Sequence, residues 1–250
     1  MYNYKNISIY YETYGNSNKS ILILPGWGNT RETFNNIINL LKDKYKIYII
    51  DYPFFGSSPI PNKELTIYDY TLLIYNFIKD NKINNPIIIA HSFGGRISSI
   101  LISKYKLKVS KLILFDVAGI KRFNIKLFFK TKLYKLLKKL VFLLPKCIQE
   151  KAKNKLLLKF SSNDYLNIPL IMKKTFQNII KEDLRKYYRQ ISSETLIIWG
   201  DKDLDTPLKD ALYLNKIIKN SALIIYKNST HFSYLDYPYL TNKILEKYLK

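Results

Sequence analysis

Short apolar runs recur along the chain, each too brief for a helix and bounded by turn residues. Ile21–Leu24, Ile47–Ile50, Ile87–Ala90, Leu112–Phe115, Thr195–Trp199 and Ala222–Tyr226 are of this kind. Unbroken apolarity over so few positions marks a strand buried on both faces. Between the runs lie segments with helical spacing: Glu32–Leu41, Leu65–Lys79, Arg96–Ile102, Leu208–Lys219 and Tyr239–Leu249. In the second of these, Leu72, Leu73, Tyr75, Asn76 and Phe77 give an apolar stripe broken by polar positions. Lys5–Tyr14 alternates imperfectly, with Ile7, Ile9 and Tyr11 on one face, and ends at the turn signal Gly15-Asn16, so an antiparallel hairpin is expected to open the chain. Strands alternating with helices predict an α/β fold, a mostly parallel central sheet with helices on both faces.

In such sheets the functional loops lie beyond the carboxyl ends of the strands. Gly26-Trp27, Asp51, Ser92, Asp116, Asp203 and His231 all fall at those ends or in the loops that follow. The stretch around Ser92 stands out. Ile87–Ala90 reads as a buried strand and Arg96–Ile102 as a helix, which puts Ser92 on the turn between them. A tight strand-to-helix turn needs small residues two positions before and after the serine, and Ala90 and Gly94 meet that need, with Gly95 adding room. A serine in that place also serves as a helix N-cap, so its partners decide its role.

Composition narrows the classes. A chain of 250 residues that is 47% apolar suits one domain with a large core. A single cysteine, Cys147, excludes a disulfide framework, and two histidines, His91 and His231, are too few for a zinc site, leaving only an all-oxygen metal site open. The segment Met1–Tyr11 lacks the apolar centre of a signal peptide, and no apolar run approaches about 18 residues, so a soluble cytoplasmic protein is expected. The net charge is +22, but 36 of the 41 basic residues are lysine in a chain rich in Asn, Ile and Tyr, the bias of an AT-rich genome. The distribution says more. Between Ile120 and Phe160 there are 13 basic residues and one acid, Glu150.

Five motifs in order resemble the α/β-hydrolase family over nearly the whole chain: Pro25-Gly-Trp-Gly28, Asp51-x-Pro-x-x-Gly56-x-Ser58, Ala90-His-Ser-Phe-Gly94, Trp199-Gly-x-x-Asp203-x-x-x-Pro207, and His231 followed by Asp236 and Pro238. The order Ser, Asp, His is the order that family uses. The resemblance implies Ser92 as nucleophile, Asp203 as the acid that orients the base, and the backbone N–H groups of Trp27 and Phe93 as the oxyanion hole. A serine hydroxyl needs an imidazole to take its proton. His91 neighbours Ser92 on a strand end and should face away from its hydroxyl, as a core or supporting residue, which leaves His231 as the base. Asp116, one strand earlier, is the second candidate for the acid. Pro25, Thr230 and Phe54 depart from the family pattern, which commonly has His, Gly and Gly there. A serine nucleophile argues against relatives that use Asp in its place.

The resemblance further implies a core of residues 1–118 and 191–250 with an inserted helical cap, residues 119–190. Within the cap, Phe129, Leu133, Leu136, Leu137, Leu140, Val141 and Leu144 share one arc of a helix ended by Pro145, while Lys132, Lys135, Lys138 and Lys139 share the other. The apolar arc is expected to roof the substrate pocket, with Phe123, Phe128, Phe129 and Phe142 contributing to an apolar acyl site. The lysines suit solvent, an anionic membrane surface, or an acidic carrier such as acyl carrier protein or coenzyme A. No nucleic-acid motif accompanies the charge. The expected activity is hydrolysis of an ester or thioester through an acyl-Ser92 intermediate, with no cofactor. An acyltransferase on the same residues and a non-catalytic ligand-binding protein of the same fold are the other readings.

Overall fold

The computed structural model describes residues 1–121, 125–160 and 168–250, with side chains throughout except at 125–131, 154 and 157–160. Eight strands form one sheet: β1 (Tyr2–Tyr4), β2 (Ile7–Tyr14), β3 (Ser20–Leu24), β4 (Lys46–Asp51), β5 (Ile87–His91), β6 (Lys111–Phe115), β7 (Thr195–Gly200) and β8 (Ser221–Tyr226). Their order across the sheet is β1-β2-β4-β3-β5-β6-β7-β8. Pairing is antiparallel for β1 with β2 and for β2 with β4, and parallel from β4 to β8.

The opening hairpin differs from expectation in its turn. Its partners are Tyr2–Tyr4 and Ile7–Tyr14, joined through Lys5-Asn6, both at positive φ (47° and 63°). Two successive left-handed residues match the twist of a two-residue hairpin, and Asn tolerates that conformation better than most side chains. Gly15-Asn16 instead releases the chain from β2 to β3, two positions across the sheet.

The helices on the described chain are α1 (Asn35–Leu41), α2 (Ile67–Asp80), α3 (Phe93–Ser103), α4 (Ile125–Val141), α5 (Lys146–Phe160), α6 (Leu170–Lys181), α7 (Arg185–Tyr188), α8 (Leu208–Ile217), α9 (Ser233–Asp236) and α10 (Pro238–Tyr248). A turn of 3-10 helix, Arg31–Phe34, precedes α1. Thr66 and Asp69 form a reciprocal capping box at the start of α2. The buried stripe of α2 runs through Tyr70, Leu73, Ile74 and Phe77, so Leu72 and Tyr75 sit at its margin rather than in it.

Alternate residues of the central strands feed two cores. Leu22, Leu24, Ile88, Ala90, Leu112 and Leu114 join one cluster with α2, α3 and α8, while Ile21, Ile23, Ile87, Ile89, Ile113 and Phe115 join the other with α1 and α10. Burial on both faces explains why these strands read as unbroken apolar runs.

The segment 119–190 divides. Its second half belongs to the main core, with Ile179, Leu184, Tyr187 and Tyr188 in the first cluster. Leu184 N–H donates to Gly119 O at 2.9 Å, Tyr188 Oη donates to Ala118 O at 2.7 Å, and the Arg96 guanidinium donates to Ile179 O and Glu182 O. Its first half packs α4 on α5. Leu133, Leu136, Leu140 and Leu144, expected to roof a pocket, are instead exposed, as is Phe142. Phe123, Phe128 and Phe129 lie outside the described side chains. Among the described residues, no helix is long and apolar enough to cross a membrane.

Candidate active site

Five parallel strands, β3, β5, β6, β7 and β8, end side by side at one edge of the sheet, and the loops that leave them build the site. Ser92 follows β5 directly and adopts φ 45°, ψ −107°, a strained conformation for a residue with a side chain. Hydrogen bonds hold it there: Ser92 N–H donates to Phe115 O at 3.1 Å, while Ser92 O accepts from Gly95 and Ala118 N–H. The turn leaves no room for a side chain at Gly94, where a Cβ would lie 2.0 Å from Leu24 O. The helix therefore starts at once with Phe93, three residues before the apolar pattern predicts, because Gly94 and Gly95 hide its first turn.

His231, in the loop after β8, places Nε2 2.9 Å from Ser92 Oγ, and its Nδ1 lies 2.8 Å from Asp203 Oδ2. Ser92, His231 and Asp203 thus stand in one hydrogen-bonded line. The Asp203 carboxylate, in the loop after β7, is buried and accepts Asp205 N–H and Thr206 N–H on Oδ1, each at 2.8 Å, and Thr206 Oγ1 on Oδ2 at 2.6 Å. Burial would raise its pKa, but the His231 hydrogen bond and charge, with the Thr206 bonds, hold it below the ordinary carboxylate value. Burial likewise acts to lower the His231 pKa, and the Asp203 hydrogen bond and charge outweigh it, so the imidazole titrates above its ordinary 6.5.

Asp116 does not reach the imidazole. Its Oδ1 accepts Gly200 N–H at 2.8 Å and its Oδ2 accepts Ser233 N–H and Oγ, tying β6 to the end of β7 and to α9. Burial pushes its pKa up to about 7 against the three bonds that favour the anion.

His91 faces away from the serine hydroxyl and is fully buried. Its Nε2 lies 2.8 Å from the main-chain O of His231 and its Nδ1 lies 3.1 Å from Asn29 Nδ2. A carbonyl only accepts, so Nε2 carries the proton and Nδ1 accepts from the Asn29 amide. Burial first, then the neighbouring His231, pushes the His91 pKa down to about 3. Gly26 closes against the same ring, since a Cβ there would lie 2.7 Å from His91 Nδ1.

The backbone N–H of Phe93 is the first of α3, where helix N–H groups have no acceptor within the helix and the helix dipole favours negative charge. The Trp27 loop lies alongside: the indole meets the Phe93 ring edge to face, centroids 5.4 Å apart, and Phe176 of α6 covers it at 5.4 Å. Arg31 braces this loop by donating to the buried Asp51 carboxylate at 2.6 Å and pairing with Glu12 at 2.9 Å. Sequence reasoning gave no role to Thr206, Asn29 or Arg31. Phe54, which stands where the family commonly has Gly, holds φ 83°. Thr230 donates its N–H and hydroxyl to Asp236 Oδ2, fixing the loop that carries His231.

Among the described residues, Asp203, Asp205 and His231 bring ligand-type atoms within 4.8 Å of one another. A cation there would have to displace the His231 to Asp203 hydrogen bond. With that bond intact, the line can move a proton from a hydroxyl to an imidazole and stabilise the cation formed.

A model of the alpha/beta hydrolase fold matches residues 19–238. The chain belongs to the alpha/beta hydrolase fold family. It is 25% identical to an uncharacterized hydrolase of Bacillus subtilis over 98% of this chain and 95% of that one. It is 27% identical to a pimeloyl-[acyl-carrier protein] methyl ester esterase of Wigglesworthia glossinidia brevipalpis, over 94% of this chain and 95% of the relative. The solved esterase of Exiguobacterium antarcticum shares the alpha/beta hydrolase architecture with a TM-score of 0.73, 24% identity, and coverage of 96% and 94% of the two chains.

Proposed function

We propose that the protein is a serine hydrolase that cleaves a carboxylic ester or thioester with an apolar acyl group. The observation that carries this reading is the line from Ser92 Oγ through His231 to Asp203, with distances of 2.9 and 2.8 Å on a strained elbow. Relatives named as esterases, one of them acting on the methyl ester of an acyl-carrier-protein conjugate, support the ester class.

In the proposed reaction, Ser92 Oγ attacks the acyl carbon while its proton passes to His231 Nε2. Asp203 stabilises the imidazolium as it forms. The carbonyl oxygen becomes an oxyanion and accepts from the N–H groups of Trp27 and Phe93, where losing one donor costs about 3 kcal/mol. His231 then gives its proton to the departing alkoxide or thiolate, leaving acyl-Ser92. Water, deprotonated by His231, attacks the acyl carbon and releases the acid, and the proton returns to Ser92.

Labelling with a fluorophosphonate probe, read by intact mass, tests the reading. Wild type is expected to gain one adduct, and Ser92→Ala and His231→Ala none. A folded wild type that stays unlabelled would overturn it in favour of a ligand-binding member of the same fold.

A further inference from the structure

Among the described residues, the α4–α5 hairpin combines exposed apolar side chains with charge predominantly of one sign. Leu133, Leu136 and Leu140 succeed one another at helical spacing on α4 and are 49%, 55% and 50% exposed, and Leu143, in the turn that follows, is 81% exposed. Phe142 beside it and Ile148 at the start of α5 extend the apolar surface. Single exposed apolar residues are ordinary on a soluble protein, but this many in one hairpin mark an interaction surface.

The charge around them has one sign. Lys135, Lys138 and Lys139 on α4 and Lys146 and Lys151 on α5 are exposed. Over the wider stretch Ile120–Phe160, 13 basic residues face a single acid, Glu150. Lys153 Nζ lies over the Phe142 ring at 4.5 Å, so cation and apolar group share the tip. A matching occupant must offer an apolar interior beneath a negative surface. An anionic bilayer offers both over any contour, and the long lysine stems can lie along the apolar layer while their ammonium groups reach the headgroups.

We propose that this hairpin docks on the surface of an anionic lipid bilayer, with the leucines of α4 and the Phe142-Leu143 turn entering the acyl boundary and the lysines on the phosphate headgroups. The proposal does not depend on the chemistry at Ser92, and its test is a binding measurement.

Full-length protein is sedimented with vesicles of phosphatidylcholine alone or mixed with phosphatidylglycerol. Cys147, exposed at the start of α5 and the chain's single cysteine, carries an environment-sensitive fluorophore. Binding is expected to favour the anionic vesicles by about tenfold or more, to weaken as salt screens the headgroups, and to bring a blue shift of the probe. Leu136→Ser with Leu140→Ser keeps the charge and is expected to lower binding about tenfold while thermal unfolding and hydrolysis of a short soluble ester stay unchanged. Equal binding to both vesicles, no binding, or salt-sensitive binding without a probe shift overturns the proposal. Saturable capture of an acidic carrier protein by a hairpin that ignores vesicles also overturns it and assigns the surface to a protein partner.

Discussion

The buried imidazole of His91 donates from Nε2 to the main-chain carbonyl of His231, the residue whose own ring faces Ser92. The other nitrogen of His91 accepts from Asn29 in the Trp27 loop. One neutral ring therefore joins the serine turn, the loop of the base and the loop of the proposed oxyanion donor. Its low pKa keeps it neutral throughout the working range, so this bracing does not vary with pH. Replacing it with Ala takes the partner from two part-buried polar groups, the Asn29 amide and the His231 carbonyl, and opens a cavity. The expected outcome for His91→Ala is about a hundredfold fall in kcat with KM little changed, since small misplacements of reacting groups cost that much. Thermal unfolding measured beside the kinetics decides the role: lost stability at full kcat would make His91 a structural residue only.

The pH profile carries the signature of the Asp203 contact. In the proposed reaction His231 must be neutral to accept the serine proton, and Asp203 holds its pKa above 6.5. Activity should therefore fall as the pH drops through a value above 6.5, seen as the acid limb of kcat/KM. Asp203→Asn removes the charge that raises the imidazole. The limb is expected to move to lower pH while the plateau falls by about ten-thousandfold. An unmoved limb would mean that another group sets it.

Asp116 offers the contrasting case, a carboxylate of the same edge that touches backbone and Ser233 instead of the base. Asp116→Asn is expected to keep kcat within about tenfold and to lower stability by about 1–3 kcal/mol through broken buried hydrogen bonds. The sign of the pH dependence follows from a folded pKa of about 7 against 3.8 unfolded. Such a group contributes its full stability below 3.8 and loses it as the pH rises through about 7. The variant's deficit, read from denaturant melts at several pH values, should shrink over that range. A deficit that grows with pH would show the carboxylate to be ionised throughout.

What the sequence made legible is what local chemistry encodes. Strands buried on both faces leave apolar runs, and β3 to β7 were visible for that reason, whereas β8 reads as an apolar run although it is the edge strand and only Tyr226 in it is buried. The positions that converge at the sheet edge were visible because each follows such a run. The hairpin turn at Lys5-Asn6 was hidden, since non-glycine residues occupy left-handed conformations there. Asn29 and Arg31 were hidden because their partners, His91 and Asp51, are distant in sequence and only the fold brings them near. The lysine and leucine pattern of α4 reads as two arcs of a helix, but periodicity cannot say what an apolar arc packs against. Among the described residues, the ring from segment 119–190 that meets Trp27 is Phe176 of α6, which no motif marked.

Thr206 tests whether the surroundings of Asp203 tune the base. Its hydroxyl lies 2.6 Å from Asp203 Oδ2, the oxygen that also faces His231 Nδ1, and it helps hold the carboxylate pKa down. Thr206→Val keeps the shape and removes the donor. The carboxylate then keeps its two backbone donors on Oδ1 but leaves Oδ2 to the imidazole, so the acid limb of kcat/KM is expected to move upward, opposite to the shift in Asp203→Asn, with a loss of up to about tenfold in the plateau. Thr206→Ser restores the hydroxyl and should return both. A limb that stays in place in Thr206→Val, with activity lost, would limit this hydroxyl to holding the loop after β7.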